Sequence, residues 1–141
     1  MKKIITLAMA LAVSLTLSFT ALAAEEKSAP VAIPDTPSGI WQSVDNEMNE
    51  MTKMIAAASI KELHPHAFAV RDLVAALPEK SASLAPEKLA GVKSNIKFVA
   101  TLADRLDVAG DSNDKAAAEE NVKKLKGVLD SIRANYPDIV K

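Results

Sequence analysis

The chain has 141 residues, 25% of them charged and 4% aromatic, which bounds it to one domain around one core. It contains no cysteine, so disulfides, thiol chemistry and lipid attachment through a cysteine are excluded. Seventeen basic residues stand against 18 acidic ones, and removal of the leader described next leaves 15 against 18, a net charge near −3 that argues against nucleic acid as a partner.

Lys2 and Lys3 open the chain, and residues 4–22 then carry no charge. The run ends in Ala21-Leu22-Ala23, small residues at both positions a signal peptidase reads, and Glu25-Glu26 restores polarity at once. Residues 1–23 are therefore expected to be a cleavable signal peptide that exports the chain to the periplasm and leaves no stable membrane insertion. A retained anchor is the rival, because the apolar run approaches the about 20 residues that span a bilayer. Residues 24–36 hold Pro30 and Pro34, show no helical period and read as a flexible tether.

Four helical patterns follow. The first, over 37–58, opens on Thr36-Pro37, an N-cap followed by proline at the first helical position, and carries Ile40, Val44, Met48, Met51, Ile55 and Ala58 on one face. The second, over 60–77, opens on a capping box at Ser59 and Glu62, carries Leu63, Val70, Leu73, Val74 and Leu77, and is expected to stop at Pro78. The third, over 86–108, starts at Pro86-Glu87 and carries Leu89, Val92, Ile96, Val99, Leu102 and Leu106, with Gly110 suited to the turn after it. The fourth, over 114–136, carries Ala118, Val122, Leu125, Leu129, Ile132 and Tyr136 until Pro137 ends it, and 138–141 form a tail. Each helix alone would expose an apolar stripe, and the connections are short. The expected fold is all-α, an antiparallel up-down-up-down four-helix bundle over 37–137.

Chemistry concentrates in His64-Pro65-His66, which holds both histidines of the chain. With Ser59 as N-cap, Pro65 falls inside the helix and should disturb the turn between the two imidazoles. Two residues correspond to about 200° of helical rotation, so the rings cannot both face inward on a regular helix. Met48, Met51 and Met54 recur every three residues on the preceding helix. If the hairpin folds about Ala58 and Ser59, Met54 faces His64 and Met51 lies beside His66. Thioether with imidazole suits Cu(I) or Ag(I), whereas imidazole with Glu47, Glu50 and Glu62 suits Zn(II) or Cu(II). Core packing competes for Met48 and Met51, which lie on the apolar stripe, while Met54 lies off its centre. No serine stands in a plausible triad, no Gly-rich phosphate loop exists among four glycines, and His-Glu-x-x-His is absent, so the chain is not expected to be an enzyme.

The stretch HPHAFAVRDLVAALPEK over residues 64–80 resembles the second helix of small exported proteins associated with heavy-metal efflux systems, and the likeness extends back through Ile40-Trp41 to Ala58. It implies a periplasmic role in copper, silver or zinc homeostasis, with ligands at His64 and His66. On the first helix, Glu47 and Met48 stand where those proteins carry histidines. In leader, length and the Ala116-Ala117-Ala118-Glu119 opening of its last helix, the chain also resembles the cytochrome b562 class. That class holds haem between a methionine on the first helix and a histidine on the last, and no histidine lies on the last helix here.

The leading expectation is a metal-binding accessory protein, a buffer, sensor or carrier with the metal ion and an envelope efflux or sensor protein as partners. A metal-free helical module docking on an envelope partner is the alternative, and a b-type haem carrier the remote one. Oligomeric state has no signature in the sequence.

Overall fold

The computed structural model describes residues 30–136. The expected leader, residues 24–29 of the tether and residues 137–141 lie outside the described residues. The protein is all-helical, with four helices and no strand among the described residues: α1 (Pro37–Ala56), α2 (Leu63–Lys80), α3 (Pro86–Asp111) and α4 (Lys115–Arg133), plus a short 3-10 turn (Ile60–Glu62). α1 packs on α2, α2 on α3 and α3 on α4, and α4 returns to α1 across the thinnest seam. No helix among the described residues is long and apolar enough to cross a membrane.

Residues 30–36 have no regular secondary structure, yet they are not free of the bundle. Val31 packs against the core, and Asp35 takes the ammonium of Lys80 at 3.1 Å. Thr36 caps α1 by accepting the amide of Gly39 at 3.1 Å, with Pro37 at the first position where its missing N–H costs nothing. A Cβ on Gly39 would stand 2.9 Å from the Cβ of Pro34, so the glycine lets the preceding segment lie directly on the first turn.

α1 buries Ile40, Trp41, Val44, Met51 and Ile55; of the expected face Met48 is only partly buried, and Ala58 lies exposed beyond the helix end. It ends in a left-handed turn. Ala58 has φ 59°, its amide bonds to the Ile55 carbonyl at 3.1 Å, and the Ser59 amide reaches the Met54 carbonyl at 2.9 Å. This is the Schellman pattern, with alanine where glycine is the unstrained choice. The end of α3 repeats it with Asn113 (φ 54°), whose Asp114 amide reaches the Ala109 carbonyl at 2.8 Å. Asp114 then caps α4 by accepting the Ala117 amide at 3.0 Å.

Three local expectations are corrected. The capping box at Ser59 does not form, because the chain first makes the 3-10 turn and α2 starts only at Leu63. Pro65 therefore lies in the first turn of α2, where a helix leaves its amides unpaired in any case, and it distorts nothing. Pro78 does not stop α2, which continues to Lys80. Beyond it, the Ser81 hydroxyl donates to the Leu77 carbonyl at 2.5 Å and sits 2.9 Å from the Tyr136 hydroxyl.

Gly110 is not a turn residue either. It is helical and fully packed, and a Cβ there would stand 2.8 Å from the Ile60 carbonyl oxygen. The backbone of the 3-10 turn crosses α3 at that point, so Gly110 permits a close approach of two backbone segments.

One core runs through the molecule, from Ile40, Val44 and Leu63 through Leu73, Leu106 and Leu125 to Ile132. α4 closes at Arg133, and Tyr136 folds back to be 4% exposed, meeting Trp41 edge to face at 6.0 Å. Arg133 lies 4.5 Å above the Trp41 ring and pairs with Asp45, which ties α4 to α1 at this end.

Candidate metal site at the start of α2

Both histidines sit in the first turn of α2 and project to opposite neighbours, as two residues of helical rotation require. His66 turns to α1, where its Nδ1 lies 2.6 Å from Oε2 of Glu47. His64 turns to α3, where its Nδ1 lies 2.6 Å from Oδ1 of Asp107. Each pair is about three-quarters buried, with side-chain exposures of 25% and 26% for His66 and Glu47 and 29% and 28% for His64 and Asp107. Two carboxylates thus approach the N-terminus of α2, the end of a helix that favours negative charge.

The two sites differ beyond the first contact. The His64 ring packs edge to face on Phe68 at 4.4 Å, and Arg71 covers Phe68 at 4.2 Å while holding Asp72 at 2.8 Å. Its Nε2 is buried with no hydrogen-bond partner among the described residues. His66 instead stands among charges. Glu50, one turn from Glu47 on the same side of α1, bonds to Lys53 at 2.7 Å. The hydrogen bond and charge of Lys53 hold the Glu50 carboxyl below its ordinary range, with a smaller contribution of the same sign from His66.

The three methionines occupy packing positions on α1. Met51 is fully buried within the core, and Met54 is partly buried against it. Met48 lines a groove of about 540 Å³ between α1 and α4, with Ile55, Val122 and Leu129 as its apolar neighbours. The register differs because residues 57–62 are spent in crossing the end of the bundle, over Gly110, before α2 begins. Glu47 is the α1 residue that bonds to His66.

A carboxylate on the imidazole Nδ1 is how proteins orient ligand histidines, since it fixes ring and tautomer and leaves Nε2 as the ligand atom. The donors gathered here are nitrogen and oxygen, which fit Zn(II) or Cu(II) better than Cu(I) or Ag(I). Among the described residues no three histidine or carboxylate side chains stand together so as to hold an ion. Asp107, the partner of His64, is the residue that sequence reasoning missed. It lies 43 positions from its histidine, with no local pattern joining them.

Comparison with known proteins returned no matching family model, no matching curated protein and no matching solved structure.

Proposed function

We propose that this chain is a non-enzymatic metal-binding accessory protein of the bacterial periplasm, a buffer, sensor or carrier for a divalent ion such as Zn(II) or Cu(II). The observation that supports this reading is the contact of His66 with Glu47 across the seam of α1 and α2, three-quarters buried and still open to solvent. An imidazole already oriented by a carboxylate needs little reorganisation to take an ion. The exported location rests on the leader-like residues 1–23. The helices are read as running up-down-up-down: Asp35 before α1 pairs with Lys80 at the end of α2, and His64 at the start of α2 pairs with Asp107 near the end of α3.

Titration of the purified protein with Zn(II) and Cu(II) against a competing chelator tests the proposal. One ion per chain should bind, raise the melting temperature and be lost in His66→Ala, because a ligand of the folded state stabilises it. Binding that survives His66→Ala overturns the assignment.

The α1/α4 groove favours a second reading, a helical module that docks on an envelope partner. Its apolar floor of Met48, Ile55, Val122 and Leu129 is rimmed by Asp45, Lys123, Lys126 and Arg133, the layout of a surface that receives an amphipathic helix. Met48→Arg should then abolish binding to the periplasmic part of an efflux or sensor protein while leaving ion binding intact.

A further inference from the structure

We infer that the groove between α1 and α4 binds one single-chain amphiphile with an anionic head, a free fatty carboxylate whose tail lies on the apolar floor and whose carboxylate meets Lys123. This site is independent of the metal-binding reading, and it gives the groove a small ligand where the second reading seats a helix.

The groove exists because α1 and α4 share the thinnest seam of the bundle. Met48 and Val122, partly buried, and Ile55 and Leu129, nearly closed, leave about 540 Å³ between the two helices. That volume lies within the range of about 300–1,000 Å³ usual for small-ligand pockets. Thr52, also on the wall, donates its hydroxyl to the Met48 carbonyl at 2.8 Å. The side chains of the floor thus offer an incoming molecule no hydrogen bond, and what holds it there is burial of apolar surface.

The charges on the rim decide which head group fits. Arg133 is held by Asp45, Lys126 by Asp130 at 2.8 Å, and Glu119 by Lys115 at 3.8 Å. Lys123 alone of the charged residues lining the groove has no ion partner among the described residues, and it is exposed. An apolar trough with one unpaired cation at its edge is complementary to a chain that ends in a single negative charge.

The two ends of the groove set orientation and length. Asp45 and Arg133 join α1 to α4 across one end, beside Trp41. Ile55 stands ten residues further along α1, and Lys123 ten residues back along α4. With the two helices antiparallel, as read above, both lie at the opposite end of the groove. Ten residues of helix span about 15 Å, the length of about a dozen extended carbons. The tail therefore points toward the pair of Asp45 and Arg133, and the carboxylate stays at the open end. A docked helix would have to break that pair or stop short of it, whereas a flexible chain fits beneath it.

Calorimetric titration of the purified protein with sodium dodecanoate, kept below the concentration at which it forms micelles, tests the assignment. Dodecyltrimethylammonium is the probe of equal tail and opposite charge. One dodecanoate should bind per chain, about tenfold more tightly than the cationic amphiphile. Decanoate, two methylenes shorter, should bind about tenfold more weakly than dodecanoate. Lys123→Gln should remove the preference between heads, and Val122→Gln, on the partly buried floor, should weaken both ligands. Far-ultraviolet circular dichroism checks that both variants keep their helices. If the two heads bind alike in the parent, or Lys123→Gln leaves the preference intact, the carboxylate site is overturned. Uptake of several molecules per chain, or binding indifferent to Val122→Gln, is detergent adsorption and overturns it as well. If dodecanoate does not bind, the small ligand falls, and a synthetic amphipathic helical peptide that does bind leaves the groove to the helix.

Discussion

His64 and His66 share one helical turn, one kind of partner and nearly the same burial, yet their surroundings differ. His64 is closed in: its ring lies on Phe68, its Nδ1 is taken by Asp107, and its Nε2 is buried without a partner. His66 has its Nδ1 taken by Glu47, one turn before the exposed pair of Glu50 and Lys53 on α1. The lesson is that a carboxylate beside an imidazole does not by itself distinguish a staple from a ligand. What distinguishes them is whether the remaining atoms of the pair face packed side chains or movable ones.

Exchanging the two histidines for alanine breaks the comparison most directly. His66→Ala should lower Zn(II) affinity at least about tenfold, whereas His64→Ala should leave affinity within a factor of about two. The larger structural cost should fall on the second variant, which also removes the ring packed on Phe68. His64→Ala leaves Asp107 partly buried without its partner and should lower stability by about 1–2 kcal/mol in denaturant titrations.

Gly110→Ala sharpens the same contrast from the α3 side, next to the His64 staple. Its Cβ would press on the Ile60 carbonyl, a backbone atom that cannot swing away, so about 1–3 kcal/mol of stability should be lost with little change in ion binding. Gly127→Ala, with open space at its Cβ in the middle of α4, is the control and should instead stabilise by about 0.5–1 kcal/mol.

Ala58→Gly, just before the 3-10 turn that leads to both histidines, relieves a left-handed alanine and should raise stability by about 0.5–1 kcal/mol in denaturant titration. It should act equally in the two histidine variants. The smallest effect lies at the other end of the molecule. Burial pushes the Tyr136 hydroxyl above its ordinary pKa, against a smaller opposing effect of its bond to Ser81. The neutral form is thus favoured in the folded state, so this contribution is present below about pH 10 and is lost as the pH rises through the folded value. Denaturation midpoints followed above pH 9 should decline accordingly, and should do so equally in both histidine variants and less steeply in Tyr136→Phe.

The four helices were legible because each carries an apolar stripe at spacings of three and four, and the buried residues fall on those stripes. The ends were less legible. Sequence marks Pro78 as a stop and Gly110 as a turn, but a proline near a C-terminus can be tolerated in the last turn, and a glycine can serve a close approach instead. Trp41 reaches the core from beside a stripe, where periodicity has no purchase, while Tyr136, on the expected stripe, is buried from beyond the end of α4.

At the site, the histidines and Glu47 were legible as candidate donors, while Asp107 was not. Which carboxylate meets His66 depends on the register of the hairpin, which puts Glu47 there, 19 positions away. That register is set by the 3-10 turn, which six residues of ordinary composition do not announce. The thioethers were legible as soft donors, but Met51 is consumed by the core and Met48 by the opposite groove.

Trp41 is the single indole of the chain, sealed to 1% exposure beneath Arg133 and beside Tyr136. All tryptophan fluorescence therefore originates from one dry position in the first turns of α1, six residues before the Glu47 that meets His66. Its emission colour is a built-in optical gauge of whether the cap formed by Arg133 and Tyr136 has loosened.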